Sequence, residues 1–265
     1  MIKILFIGDI VARVGRRLVK KLLPDLIKKH QIDFVIANGE NTTHGRGLTF
    51  HHYQELKQAG IDVITLGNHY DDRDEIRTFL DGGSDVIRPL NLTRDYPGVG
   101  SAVFDNGEVR IRVTNILGMA FMDEIVENPF VSLDRLLRDC PLDEIHIVDF
   151  HAEATAEKKA FAYAFDGRVS AIIGTHTHIQ TRDAQILKKG TAYITDVGMT
   201  GPEPSVLGVK PDIIIKRFWH GEQKFFDYDN KASGVFSGVI LTFDKHTTQA
   251  IKITPLYLLE NPAHE

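Results

Sequence analysis

The stretch IHIVDFHAEATAEKKAFAYAFDGRVSAIIGTHTH (residues 145–178) decides the fold class. Ile145 to Phe150 is a short apolar run of strand length. Ala154 to Phe165 places apolar residues at helical spacing, and Val169 to Ile173 is a second apolar run. A strand, a helix and a strand in succession predict a parallel pair with the helix crossing over one face. Both strands end in groups that no apolar core would select: Asp149-Phe150-His151 after the first, Gly174-Thr175-His176-Thr177-His178 after the second.

Working outward, the same alternation fills the first third of the chain. Ile2 to Ile7, Asp33 to Ala37 and Val63 to Leu66 read as buried strands. Leu18 to His30 reads as a helix despite Pro24, and Thr49 can cap a helix that runs toward Ala59 and stops at Gly60. Asp71 to Leu80 reads as a helix with acids in its first turn, where the helix dipole favours them. Asn106-Gly107 between Ala102–Phe104 and Val109–Ile116 is a hairpin signal. Ala192–Thr195 reads as a strand, and Val235–Phe243 with Ala250–Leu258 as a further hairpin. The expected class is α/β, with parallel strands extended by antiparallel ones. No linker or repeat divides the chain, so a single domain over residues 1–265 is expected.

Composition narrows the function. Of 265 residues, 43% are hydrophobic and 25% charged, which excludes disordered, collagen-like and coiled-coil classes. A net charge of −5 gives no global attraction to duplex nucleic acid or to an anionic membrane. No apolar stretch approaches the length of a membrane span. The single cysteine, Cys140, allows no intrachain disulfide and fits a cytoplasmic location.

Ligands of parallel sheets gather beyond the carboxyl ends of the strands. Five such ends carry polar groups: Asp9, Glu40-Asn41, Asn68-His69, His151 and His176-x-His178. Taken singly, each has an ordinary explanation. Asp9 could cap a helix, Asn68-His69 could form a turn, and His151 could be a hydrogen-bonded core histidine. Independent turn chemistry would have to choose metal-capable groups at every one of these ends. Carboxylate, amide and imidazole donors together suit Fe, Mn, Zn or Co, and there are more of them than one tetrahedral ion needs. Two ions sharing a carboxylate would use them all and would bind and activate a phosphate ester. His44, His51 and His52 follow the second cluster and read as solvated helix or loop positions. The dinucleotide pattern Gly-x-Gly-x-x-Gly is absent at Gly8.

Gly67-Asn68-His69 and Gly174-Thr175-His176-Thr177-His178 resemble two signatures of the calcineurin-like metallophosphoesterases. That superfamily usually opens with Asp-x-His, whereas Ile10-Val11 follows Asp9 here, and Glu40-Asn41 stands where an Asp is usual. These departures resemble the YmdB-like branch, as do Phe6-Ile7-Gly8-Asp9, Asn38-Gly39-Glu40-Asn41, residues 149–155 and residues 191–202. The resemblance implies a four-layer α-β-β-α sandwich, two packed mixed sheets with helices outside. It implies two divalent transition-metal ions per chain, Fe or Mn foremost and Zn or Co as alternatives. Glu40 would bridge them; Asp9, Asn41 and His178 would complete one site, and Asn68, His151 and His176 the other. His69 would be the catalytic acid for the leaving oxygen.

The implied activity is hydrolysis of 2′,3′-cyclic nucleotides to nucleoside monophosphates by a metal-bridging hydroxide. The implied partner is that small phosphodiester, with no membrane and no stable duplex; a homo-oligomer is compatible with the sequence. Two alternatives use the same residues: a phosphomonoesterase or protein phosphatase, and a non-catalytic nucleotide- or RNA-binding regulator.

Overall fold

The computed structural model describes residues 1–80, 85–140 and 144–260. The first half of the chain forms β1 (Ile2–Ile7), β2 (Asp9–Ile10), α1 (Ala12–His30), β3 (Phe34–Asn38), α2 (Phe50–Gln58), β4 (Val63–Thr65), α3 (Ile76–Leu80), β5 (Val86–Ile87), β6 (Ser101–Asp105), β7 (Arg110–Leu117) and α4 (Pro129–Leu137). The second half forms β8 (Ile145–His151), α5 (Thr155–Ala164), β9 (Ala171–Thr175), β10 (Gln185–Ile186), β11 (Ala192–Ile194), β12 (Met199–Pro202), α6 (Pro211–His220), β13 (Gly234–Phe243) and β14 (Ala250–Leu259).

Two mixed sheets result. One runs β2-β12-β13-β1-β3-β4-β5, with β14 along the other edge of β13; the second runs β10-β11-β9-β8-β7-β6. β1, β3, β4 and β5 are parallel to one another, as are β7, β8, β9 and β11. Both expected hairpins are present: β6 with β7, and β13 with β14.

Side-chain alternation explains the layering. Ile2, Ile4 and Phe6 of β1 join Phe34, Ile36, Ile147, Ile173 and Ile194 in a dry core between the two sheets. Leu5 and Ile7 point the other way and pack with Val19 and Leu23 of α1, Leu56 of α2 and Ile76 of α3. On the far side of the second sheet, Val148, Phe150 and Ile172 meet Leu133 of α4 and Phe161 of α5. The order of layers is therefore α-β-β-α, as expected from the resemblance. No helix among the described residues is long and apolar enough to cross a membrane.

Several elements depart from the sequence reading. α1 begins at Ala12, well before Leu18, because Val14 and Gly15 continue its buried face. The helix expected from Asp71 is confined to Ile76–Leu80. The Asp71 carboxylate is drawn away from a capping role by Arg77, Arg94 and Tyr96, all within 2.9 Å. α4 and α6 form where the sequence reading places no element. Both start with Pro at the first helical turn; Asn128 caps α4, and Gly221 closes α6 at φ 69°. At α2 the cap is as expected, with Thr49 accepting from the His52 amide.

Candidate metal centre

The ends of β1, β3 and β4 meet the ends of β8 and β9 where the two sheets face each other, and the sequence-predicted groups converge there. His151 Nε2 lies 2.9 Å from Asn68 Oδ1, 3.0 Å from Glu40 Oε1 and 3.0 Å from His176 Nδ1. Donor atoms that share one ion at bonds of about 2.0–2.2 Å are spaced in this way. Beside this group, Asp9 Oδ1 lies 3.9 Å from His151 Nδ1 and 4.0 Å from His178 Nε2. Asn41 follows Glu40 directly; its Nδ2 donates to the Gly45 carbonyl at 3.0 Å, which leaves Oδ1 free. His69 contributes its main-chain N–H to Glu40 Oε2 at 2.9 Å, while its ring Nδ1 faces Asp72 Oδ2 at 2.9 Å. His44 and His51 are exposed, and His52 turns its Nδ1 to the Thr43 and Thr49 hydroxyls at 2.8 Å.

Two observations test whether this pocket fits cations. Asp9 Oδ1 and Asn41 Oδ1 are buried and have no hydrogen-bond partner. Such oxygens cost about 1–3 kcal/mol each unless something electropositive meets them. The charge balance points the same way. Burial pushes the Asp9 carboxyl well above its usual range; His151 opposes the shift, and the Asp196, Glu40 and Asp149 carboxylates add to it. Burial also disfavours charge on Glu40 and His151, yet their mutual attraction overrides it, holding Glu40 below its usual range and pushing His151 up to about 9. Burial lowers His176 to about 3 and lowers His178, so both rings are neutral and free to donate a lone pair. Several acids crowded around one imidazole form a site that favours added positive charge, whether a proton or a metal ion. The donor set fits divalent transition-metal ions.

The local backbone is specialised for this convergence. A Cβ on Gly67 would lie 2.3 Å from Glu40 Oε2 and 2.5 Å from His151 Nε2, so only glycine lets the chain pass beneath them. His176 and His178 adopt φ of 97° and 64°, conformations that cost non-glycine residues about 1–3 kcal/mol each. Buried polar partners hold that loop in place. Lys158 Nζ bonds Asp196 Oδ2 at 2.8 Å and the Thr175 carbonyl at 2.6 Å; Asp196 in turn accepts from the Thr177 and Gly198 amides. His151 Nδ1 is held by Thr175 Oγ1 at 2.9 Å, which donates to Asp149 Oδ1 at 2.6 Å. The sequence reading assigns no role to Asn38, Asp149, Lys158, Thr175 or Asp196. Asn38, Asp149 and Asp196 carry a signal, an amide or carboxylate in or ending an apolar run; Lys158 in an ordinary helix pattern carries none.

The chain is similar to several known proteins. A 2′,3′-cyclic-nucleotide 2′-phosphodiesterase of Bacillus subtilis is 44% identical over 253 residues, covering 95% of each chain. The crystal structure of a Mycoplasma pneumoniae protein described as a novel phosphatase superposes with a TM-score of 0.94 at 42% identity, covering 99% of this chain and 95% of that one. A hypothetical protein from Thermus thermophilus superposes at 0.91 with 40% identity, over 98% of this chain and 100% of that one. A family profile described as YmdB-like protein matches residues 5–256, a span that holds every one of the converging side chains. The chain therefore belongs to the YmdB-like family.

Proposed function

We propose that the protein is a phosphodiesterase that opens 2′,3′-cyclic nucleotides at the 2′ ester, leaving a nucleoside 3′-monophosphate. The observation that carries the reading is the cluster around His151 Nε2 together with the orphaned oxygens of Asp9 and Asn41. The activity named for the B. subtilis relative supports the choice of substrate. Asp9, Asn41 and His178 would hold one divalent ion, Asn68, His151 and His176 a second, with Glu40 shared between them. Fe and Mn suit this mixture of oxygen and imidazole donors, as do Zn and Co. When bound, such a pair supplies charge neutralisation for the phosphate and an acidified water as nucleophile.

The chain's own groups account for the rest. Buried carboxylates and amides keep the donors fixed before substrate arrives, so little reorganisation is needed at the moment of reaction. Arg46 Nε donates to His69 Nδ1 at 3.4 Å, and Asp72 Oδ2 lies 2.9 Å from both nitrogens, so the pair fixes the ring. His69 Nε2 is then the nitrogen available to give a proton to the departing ribose O2′. Strain in the five-membered cyclic phosphate favours its opening over that of a six-membered ring.

The test is a side-by-side measurement of kcat/KM for 2′,3′-cyclic, 3′,5′-cyclic and monoester nucleotides with Mn²⁺-loaded protein. The 2′,3′-cyclic substrates should be fastest, with little difference among bases and a 3′-phosphate product. A clear preference for monoesters or phosphoproteins would replace this reading with a phosphatase on the same metal site.

A further inference from the structure

Between α1 and α2 lies an open groove of roughly 550 Å³. Arg13, Arg16, Arg17 and Lys20 line one wall, and Gln54 and Glu55 stand on the other. Glu55 is the one acid that lines it among the described residues, and Arg16 neutralises it at 2.8 Å. Arg17 is held by Glu260 at 2.5 Å. Arg13 and Lys20 are exposed and have no carboxylate partner among the described residues.

This concentration of positive charge is costly where it stands. From Ala12 to Pro24, α1 carries Arg13, Arg16, Arg17, Lys20 and Lys21 and no acid. Arg13 falls in the first turn of the helix, the positive end of its dipole, where a cation is unfavourable. No side chain caps that end. In a chain of net charge −5, this basic stripe is only partly neutralised within the fold, by Glu55 and Glu260. It is matched to an anion brought from outside.

The groove begins beside the candidate metal centre, at the start of α1. The Ala12 amide donates to the Asn41 carbonyl at 2.9 Å, and the Arg16 guanidinium donates to the carbonyl of Thr42, the next residue. The stripe from Arg13 to Lys20 then leads away from the site by about 10 Å, at 1.5 Å per helical residue. A mononucleotide has its single phosphate at the metal centre and nothing to place in the groove. An oligonucleotide has further phosphates that would follow it.

We propose that this groove is a subsite for the sugar–phosphate chain of an oligoribonucleotide whose 3′ end carries the 2′,3′-cyclic phosphate. The inference rests on the cyclic-phosphodiesterase reading above and specifies its substrate as an RNA end. Water adds across the P–O2′ bond: hydroxyl goes to phosphorus and the proton to O2′. The products are one RNA strand with a free 2′-hydroxyl and a 3′-phosphate. Single-stranded chains are held in this manner by basic grooves that track the backbone.

The experiment compares the full chain, Mn²⁺-loaded, with its Arg13→Gln/Lys20→Gln variant. The substrates are 2′,3′-cyclic UMP and a 5′-fluorescein decauridylate ending in a 2′,3′-cyclic phosphate. Wild type should show at least tenfold higher kcat/KM on the decamer, through a lower KM. The variant should lose about tenfold more on the decamer than on the mononucleotide. Fluorescence anisotropy with the decamer 3′-phosphate gives a readout independent of turnover. Its Kd should weaken about tenfold in the variant, and the slope of log K against log salt should fall by about 1.4 for two lost phosphate contacts.

A variant Kd within twofold of wild type, or no preference of wild type for the decamer, would overturn the proposal. So would tighter binding of labelled polyglutamate than of the decamer, which would assign the groove to an acidic peptide. If neither cyclic substrate turns over, the reading of the metal centre fails instead, and anisotropy alone decides the groove.

Discussion

At Gly67 a single methyl group would collide with Glu40 Oε2 at 2.3 Å and with His151 Nε2 at 2.5 Å, two atoms of the proposed metal centre. Neither can retreat, because Glu40 is buried and His151 is pinned by Thr175. Gly67→Ala should therefore keep the far-ultraviolet circular dichroism of the wild type while lowering bound metal and reducing turnover by at least 100-fold. Full metal content in that variant would show that the cluster is not the binding site. His69 separates binding from chemistry for a reason visible in the backbone: it holds Glu40 through its main-chain N–H, which any substitution except proline retains. His69→Ala should keep its metal while kcat falls about 10²–10⁴-fold, the usual worth of a positioned acid. The fall should shrink for a p-nitrophenyl phosphodiester, whose leaving group needs no proton. Loss of metal together with the imidazole would make His69 a ligand.

At the scale of elements, α5 does more than cover the second sheet. It carries Lys158 through the layer to Asp196, and both side chains are fully buried. This ion pair fastens the loop after β9, where His176 and His178 hold strained backbone angles. Lys158→Met removes the cation and leaves Asp196 buried without its charge partner. Breaking such a pair costs about 3–5 kcal/mol. Urea denaturation should register a loss of that order, with metal affinity weakened as the loop relaxes. A loss under about 1 kcal/mol would mean that Asp196 is satisfied by the Thr177 and Gly198 amides alone.

For the molecule as a whole, pH acts through His146 on β8. The ring is buried against Thr114 Oγ1 at 2.8 Å, and burial, aided by Arg112, lowers it to about 3. Its value in the unfolded chain is about 6.5. Between those limits the unfolded state holds a proton that the fold excludes, so stability falls as pH drops from about 6.5 toward 3. This one group contributes at most about 1.4 kcal/mol per pH unit. Urea unfolding at pH 6.5 and 5.0 should give a difference about 2 kcal/mol smaller for His146→Gln than for wild type. Identical slopes would assign the acid sensitivity to other groups.

The strand–helix alternation was readable because burial imposes a period on the sequence: Ile2, Ile4 and Phe6 face one core, Leu5 and Ile7 another. The metal-capable ends of those strands were readable because Asp9, Glu40 and His151 are residues a core rejects. Asp71 misled, since its carboxylate serves Arg77, Arg94 and Tyr96 rather than a helix start, and those partners are remote in sequence or hidden in the turn. Which sheet end met which was decided in three dimensions. Asn68 lies 83 residues from His151, yet the packing of one sheet on the other leaves their donor atoms 2.9 Å apart. The same holds for Lys158 and Asp196, and for the basic stripe of α1, whose significance depends on α2 standing opposite. Local periodicity records how each segment meets its own neighbours and its own layer. The distance between two layers is set by how the whole core packs, and no window of sequence contains it.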